Sequence, residues 1–279
     1  MNIDHHHQPS TVTPLLSARD LRTYFPITGG LWKRTVDHVR AVDGVSLDVH
    51  EGEIVALVGE SGCGKSTLGY SLLGLTPPTS GSVTLSGTAL DIANPDSWKP
   101  FRRDFQIVFQ DPYTSLNPRL TVYELLAEPL RVHGIVPVSE LRAAATTLLK
   151  QVGLPEDALD RFPHAFSGGQ RQRLCIARAL GVRPKLIVCD EVVSALDVSV
   201  QAQIVNLLLD LKRAHGLALL FITHDLSLVR AIADRVMVMN AGKIVEEGET
   251  AGLFANPQEE YTKTLLAAVP RMEKRVASV

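Results

Sequence analysis

The segment Gly59-Glu60-Ser61-Gly62-Cys63-Gly64-Lys65-Ser66-Thr67 has the spacing G-x-x-x-x-G-K-[ST]. An apolar run, Ile54 to Val58, precedes it and the stretch Leu68 to Leu73 follows, so the order reads strand, loop, helix. That is the context in which this spacing binds phosphate. Glycines let the loop curl until successive backbone N–H groups converge on phosphate oxygens, and a helix beginning near Lys65 adds the positive end of its dipole. Lys65 would neutralise the β- and γ-phosphates of a nucleotide, and the Ser66 hydroxyl would ligate Mg²⁺. A second Gly-rich stretch, Phe166-Ser167-Gly168-Gly169-Gln170, opens a helix that runs through Leu180. Ser167, Gly168 and Gly169 would present a hydroxyl and closely spaced N–H groups, a second anion site. Neither stretch forms a complete site alone.

Polar residues that directly follow apolar runs add to this set. Asp190 and Glu191 close the run Leu186-Ile187-Val188-Cys189, Gln110 follows Phe105 to Phe109 and precedes Asp111-Pro112, and His224 follows Ala218 to Thr223. An Asp-Glu pair on a solvated strand end does no chemistry. At the end of a buried strand, Asp190 can hold Mg²⁺ through water while Glu191 projects one residue further into a cleft.

Composition narrows the class. A chain of 279 residues, 45% hydrophobic and 21% charged, is large enough for a full core in one domain or two closely packed subdomains. A net charge of −2 gives no electrostatic case for wrapping nucleic acid. The arginines 171, 173, 178 and 183 alternate with apolar residues at helical spacing and read as a solvated face, Arg171 being the one within reach of phosphate. No apolar run approaches the about 20 residues that span a bilayer, so a membrane role is expected to be peripheral. The polar segment Met1 to Pro14 reads as a disordered lead-in without a secretion signal, and its His5-His6-His7 run is assigned no role. Cys63, Cys175 and Cys189 are odd in number and widely spaced, which speaks against a disulfide framework or zinc site and fits a reducing compartment. Cys63, near Lys65 and a helix start, has a reactive reading, but a small residue filling a loop position is the expectation.

The elements that must position these residues follow from periodicity. Residues 15–48 alternate as antiparallel strands, and further strands are expected at 82–85 and 105–109. From about 120 to 166 the pattern turns helical, punctuated by Pro129, Pro137, Pro155 and Pro163. Strands then alternate with helices: strand 186–189, helix 200–213, strand 218–223, helix 226–233, and the hairpin 235–247 with its turn at Asn240-Ala241-Gly242-Lys243. The reading is an α/β fold: a P-loop NTPase core with a mostly parallel sheet, an N-terminal antiparallel β layer and an inserted α-helical subdomain.

Taken in order, these residues resemble an ATP-binding cassette (ABC) transporter ATPase. The resemblance spans nearly all the chain after Leu15: Walker A at Gly59 to Thr67, the Q-loop at Gln110, the signature at Phe166 to Gln170, Walker B at Leu186 to Asp190, the D-loop at Ser194-Ala195-Leu196-Asp197, and the switch histidine at His224. It implies a nucleotide-binding domain over 15–255, the helical subdomain inserted at about 113–182, and an extension over 256–279. It also implies that Glu191 polarises the attacking water, that Gln110 touches Mg²⁺ and joins the core to the helical insert, and that His224 contacts the γ-phosphate. Phe25, with Tyr24 as competitor, would stack on adenine. Ser167 to Gln170 would cap the ATP held by a partner's Walker A, so that the ATPase works as a dimer. Phe166 in place of the usual leucine, and Val192-Val193 in place of Pro-Thr, leave these roles intact.

Further strings resemble the oligopeptide, dipeptide and nickel importer branch: Gln110 to Arg119 with Leu116-Asn117-Pro118-Arg119, Ser194 to Gln203, and Tyr261 to Pro270, although Glu259-Glu260 stands where His-Pro is common. The branch implies uptake of short peptides, with nickel, glutathione or another small solute as the alternative cargo. It further implies a related second ATPase subunit, two transmembrane permeases, an extracytoplasmic substrate-binding protein, and a place on the cytoplasmic face of the inner membrane. No cysteine follows Cys189, so the iron–sulfur cluster of some branch members is not expected. Soluble family members acting on DNA or ribosomes would be expected to carry zinc-module cysteines, a coiled-coil insert or two cassettes. A non-hydrolysing regulatory cassette would have lost Glu191 or His224.

Overall fold

The computed structural model describes residues 13–29 and 34–268. The expected lead-in, apart from Thr13 and Pro14, and the residues from 269 onward lie outside that range, as does the His5-His6-His7 run. In chain order the elements are β1 (Leu16–Gly29), β2 (Arg34–Val49), β3 (Ile54–Val58), α1 (Lys65–Leu72), β4 (Ser80–Leu85), β5 (Thr88–Ala89), β6 (Phe105–Val108), α2 (Pro112–Ser115), α3 (Val122–Val132), α4 (Leu141–Gln151) and α5 (Gly168–Gly181). There follow β7 (Leu186–Asp190), α6 (Val198–His215), β8 (Ala218–Ile222), α7 (Leu226–Ile232), β9 (Arg235–Asn240), β10 (Lys243–Glu249), α8 (Thr250–Ala255) and α9 (Glu260–Ala267).

Two sheets result. The antiparallel one has the order β2-β1-β4-β5, the larger one β10-β9-β3-β8-β7-β6, in which only the β9–β10 pair is antiparallel. The fold is therefore the expected P-loop core, with an antiparallel layer on one side and helices on the other. Strands β3, β7 and β8 are buried at every residue, as strands covered on both faces must be. Their alternation sorts side chains into two cores. Ile187, Cys189, Leu219 and Phe221 face the helices, while Leu186, Val188, Leu220 and Ile222 face α1 and the antiparallel sheet. Each of the Ile, Leu, Val and Phe side chains among them contributes about 1.5–3 kcal/mol on burial, which stabilises the sheet between its two layers.

The order β3-β8-β7-β6 fixes the site, because the carboxyl ends of these four neighbours carry the loop after Val58, Thr223-His224, Asp190-Glu191 and Phe109-Gln110 respectively. A crevice at those ends is where parallel sheets bind ligands.

Two local expectations are corrected. Pro129 lies inside α3 rather than ending it; the helix stops three residues later at Val132, and its start is fixed by a Thr121–Glu124 capping box. The arginines of α5 do not form a solvated face. Arg171 donates to the Pro163 and His164 carbonyls and lies over the Tyr113 ring, Arg173 donates to the Val152 carbonyl, and Arg178 to that of Ser115. These guanidiniums fasten the loops between helices by donating to carbonyls there.

Candidate functional site

The loop between β3 and α1 closes on itself through its own lysine. Lys65 is 4% exposed, and its Nζ donates to the Gly59 carbonyl at 2.9 Å and the Glu60 carbonyl at 2.8 Å, with Cys63 Sγ at 3.8 Å. Gly64 initiates α1 at φ +110°, and a Cβ there would collide with the Ala41 carbonyl oxygen, so only glycine fits. Ser61, Gly62, Cys63, Gly64, Lys65, Ser66 and Thr67 line a cavity of about 390 Å³ together with Gln110 and Glu191. Gly59 borders an adjoining one of about 350 Å³ with Ser61, Glu191 and His224.

Asp190, 1% exposed, is held from two sides: Ser66 Oγ donates to its Oδ1 at 2.8 Å and the Tyr70 hydroxyl to its Oδ2 at 2.7 Å. Burial and then the Asp190 carboxylate push the Tyr70 phenol well above its ordinary range, so it stays a donor. Glu191 takes a left-handed backbone, φ +46°, with its N–H on the Ile222 carbonyl. A glutamate tolerates that conformation only where its surroundings over-determine it. The turn brings its carboxylate between two partners. Gln110 Nε2 donates to Oε2 at 2.9 Å, and His224 Nδ1 lies 3.5 Å from Oε1. Ser194 of the loop before α6 donates to the Glu191 carbonyl at 3.0 Å and accepts from Gln110 Nε2 at 3.5 Å. The geometry thus gathers Lys65, Ser66, Gln110, Asp190, Glu191 and His224 around one cleft.

The second Gly-rich stretch stands apart. Neither cavity includes any residue of Ser167 to Gln170. Ser167 caps α5 reciprocally with Gln170, accepting its N–H at 3.4 Å and donating its own N–H to Gln170 Oε1 at 3.0 Å, which leaves the Ser167 hydroxyl proton uncommitted. Gly168 approaches Leu196 and Gly169 approaches Val200 on α6. Asp197 is the N-cap of α6 but makes no side-chain cap hydrogen bond.

Phe25 and Tyr24 part ways. The Tyr24 hydroxyl is taken by Asp43 Oδ1 at 2.5 Å, whereas Phe25 is 42% exposed and pairs across the ribbon with Val39, a residue of the cavity wall. Cys63 is buried and fills the loop as expected; burial raises the Cys175 thiol to about 11 and the Cys189 thiol to about 12.

Sequence reasoning missed several contributors. Tyr70 holds Asp190 across the cleft, Val39, Arg40, Ala41, Ala241 and Gly242 complete the cavity wall, and Tyr261 reaches the loop from the far end of the chain. Of these only Tyr70 had a local signal, being one helical turn past Ser66 and so on the same face of α1.

The donors assembled at Ser66, Asp190 and Gln110 are all oxygen-bearing groups of the kind that suits Mg²⁺ rather than a thiolate-seeking metal. Among the described residues there is no His/Cys/Asp/Glu cluster able to hold a metal alone, and no helix long and apolar enough to cross a membrane.

Residues 42–194 match a family model described as ABC transporter. The chain is 51% identical over 260 residues to the glutathione import ATP-binding protein GsiA of Escherichia coli (strain K12) and to that of Shigella flexneri, the match covering 93% of this chain and 42% of each relative. It therefore spans less than half the length of those curated relatives. Among solved structures it is similar to cbiO1 from Clostridium perfringens, part of the ABC transporter complex cbiONQ, with a TM-score of 0.74, 28% identity, and coverage of 87% of this chain and 91% of that one. It is also similar to the ATP-binding cassette MJ0796 in a dimeric post-hydrolysis state bound to ADP and Pi, with a TM-score of 0.74, 30% identity, and coverage of 84% and 98%.

Proposed function

This chain belongs to the ABC transporter family, and from that premise we propose that it is the ATP-hydrolysing subunit of an importer for short peptides, glutathione included. The observation that carries the reading is the convergence of Lys65, Asp190, Glu191, Gln110 and His224 at the ends of four adjacent strands.

Lys65 would leave the Gly59 and Glu60 carbonyls for the β- and γ-phosphates, exchanging two neutral acceptors for anionic ones. Ser66, Asp190 and Gln110 would hold Mg²⁺, which when bound neutralises phosphate charge. Glu191, fixed between Gln110 and His224, accepts a proton from the attacking water, and His224 orients that water toward the γ-phosphate. Phe25, exposed at the rim, offers a face for adenine. The Ser167 hydroxyl, with the N–H groups of Gly168 and Gly169, remains for the γ-phosphate held by a second cassette. The separation of the two half-sites supports a composite site, and the dimeric state of the MJ0796 cassette supports it further.

On this reading binding closes the dimer, hydrolysis reopens it, and the motion is passed to two permease subunits. The partner cassette is a related subunit, making a heterodimer, with an extracytoplasmic substrate-binding protein delivering cargo. The chain sits peripherally on the cytoplasmic face of the membrane. The glutathione importers support the cargo class, glutathione being a short peptide; nickel or another small solute is the alternative.

The test is affinity purification from native membranes with an ATPase assay of what is recovered. Two permeases and a related ATPase are expected, and a nucleic-acid or ribosomal partner instead would refute the importer. Glu191→Gln should retain ATP binding and lose about 10²–10⁴-fold in turnover. Undiminished turnover would mean that Glu191 is not the base.

A further inference from the structure

The helix α9 lies at the far end of the chain, yet it touches the phosphate loop. The Tyr261 hydroxyl accepts the Glu60 N–H at 3.1 Å. That N–H belongs to the same peptide unit as the Gly59 carbonyl, which accepts from Lys65 Nζ at 2.9 Å. The Gly59–Glu60 peptide is planar, so the two bonds together fix its orientation. One of them is lent by the lysine that a nucleotide would withdraw; the other comes from α9.

The helix is seated firmly enough to matter. Tyr261, Leu265 and Leu266 pack against the core that contains Ala56 and Val58 of β3, the strand that launches the loop. At its start, the Gln258 and Glu259 N–H groups donate to the Glu246 carboxylate of β10 at 2.8 and 3.1 Å. Leu265 also walls the cavity that holds Gly59, Ser61, Glu191 and His224.

We propose that α9 is a working part of the nucleotide site: Tyr261 is a positioning residue for the phosphate loop, so loop occupancy and α9 docking are thermodynamically coupled. This rests on the ATP-binding reading above. When Lys65 turns to phosphate, Tyr261 becomes the remaining side-chain restraint on the first peptide of the loop. Coupling is reciprocal, so ATP in the loop must hold α9 more tightly, and whatever grips the C-terminal segment must change ATP affinity by the same factor.

The experiment compares the full chain with Tyr261→Phe, which keeps the ring and removes the hydroxyl, and with Tyr261→Ala, which removes both. ATP affinity is measured by calorimetry and α9 amide exchange with and without ATP. Loss of one hydrogen bond predicts an ATP affinity weaker by about two- to ten-fold in Tyr261→Phe, with the protection of α9 by ATP reduced. A Tyr261→Phe protein that matches the wild type in affinity and protection, while Tyr261→Ala is less stable, would overturn the inference and leave α9 as packing. Failure of the wild-type chain to bind ATP would overturn the reading beneath it instead.

Discussion

Replacing Gly169 by alanine tests how the proposed second anion site is built. A Cβ at Gly169 would stand 2.4 Å from Val200 Cγ1, while Val200 Cβ and Cγ2 lie at 3.8 and 4.0 Å. Ordinary contact between carbons is about 3.5–4.0 Å, so something must move by more than about 1 Å. Val200 lies in the first turn of α6, where a β-branched side chain has one strongly preferred rotamer, so it does not swing away freely. Overpacking of this kind costs about 1–3 kcal/mol. Alanine returns at most about 1 kcal/mol of helix propensity, and less at the second residue of a helix, so the clash wins. At about 2–4 °C per kcal/mol, Gly169→Ala should lower the melting temperature by several degrees. It should also slow ATP turnover, because α5 and Ser167 must shift with it. Val200→Ala removes Cγ1 and leaves an atom at ordinary contact distance, so the double variant should recover both properties. The assay is a double-mutant cycle by urea unfolding, with turnover measured on the same four proteins. A restoring coupling of about 1 kcal/mol or more is expected; additivity within about 0.5 kcal/mol would refute the packing argument.

Tyr70→Phe keeps the edge-to-face contact with Phe109 and deletes only the donor to Asp190. A hydrogen bond to a buried carboxylate contributes about 1.5–3 kcal/mol, so unfolding should come at lower denaturant, and an unchanged midpoint would show that Asp190 does not need it. Glu246 provides a pH prediction. Burial would raise its carboxyl, but the Gln258 and Glu259 N–H groups hold it below its ordinary 4.5. The folded value lies below the unfolded one, so the stabilisation is full above about pH 4.5 and is lost as pH falls through the folded value. Unfolding of wild type and Glu246→Gln, compared from pH 7 downward, should converge in that window; a constant difference would contradict the assignment.

Much of this protein was legible in one dimension because the residues of the proposed phosphate site are local in sequence. A curled loop needs Gly59, Gly62 and Gly64 at fixed offsets, Lys65 and Ser66 must follow at the helix start, and Asp190-Glu191 must end an apolar strand. Parallel strands buried on both faces announce themselves as unbroken apolar runs, so β3, β7 and β8 were placed within a residue or two. Element ends and the fate of the α5 arginines were not legible, because a guanidinium at helical spacing says nothing about which distant carbonyl lacks a donor. The same limit applies to the Tyr24 hydroxyl, whose acceptor Asp43 lies 19 residues further along the chain.

The sequence by itself determined the Gly-rich loop between β3 and α1, the strand-end carboxylates and the α/β class, because each depends on residues close in the chain and on backbone periodicity. Only the tertiary structure decided which groups meet. Strand order β3-β8-β7-β6 sets His224 and Gln110 on either side of Glu191, separations of 33 and 81 residues along the chain. Contact across a sheet is fixed by hydrogen-bonded neighbours, not by sequence distance, and so Tyr261 could reach Glu60 over 201 residues without leaving any trace in the motif it supports.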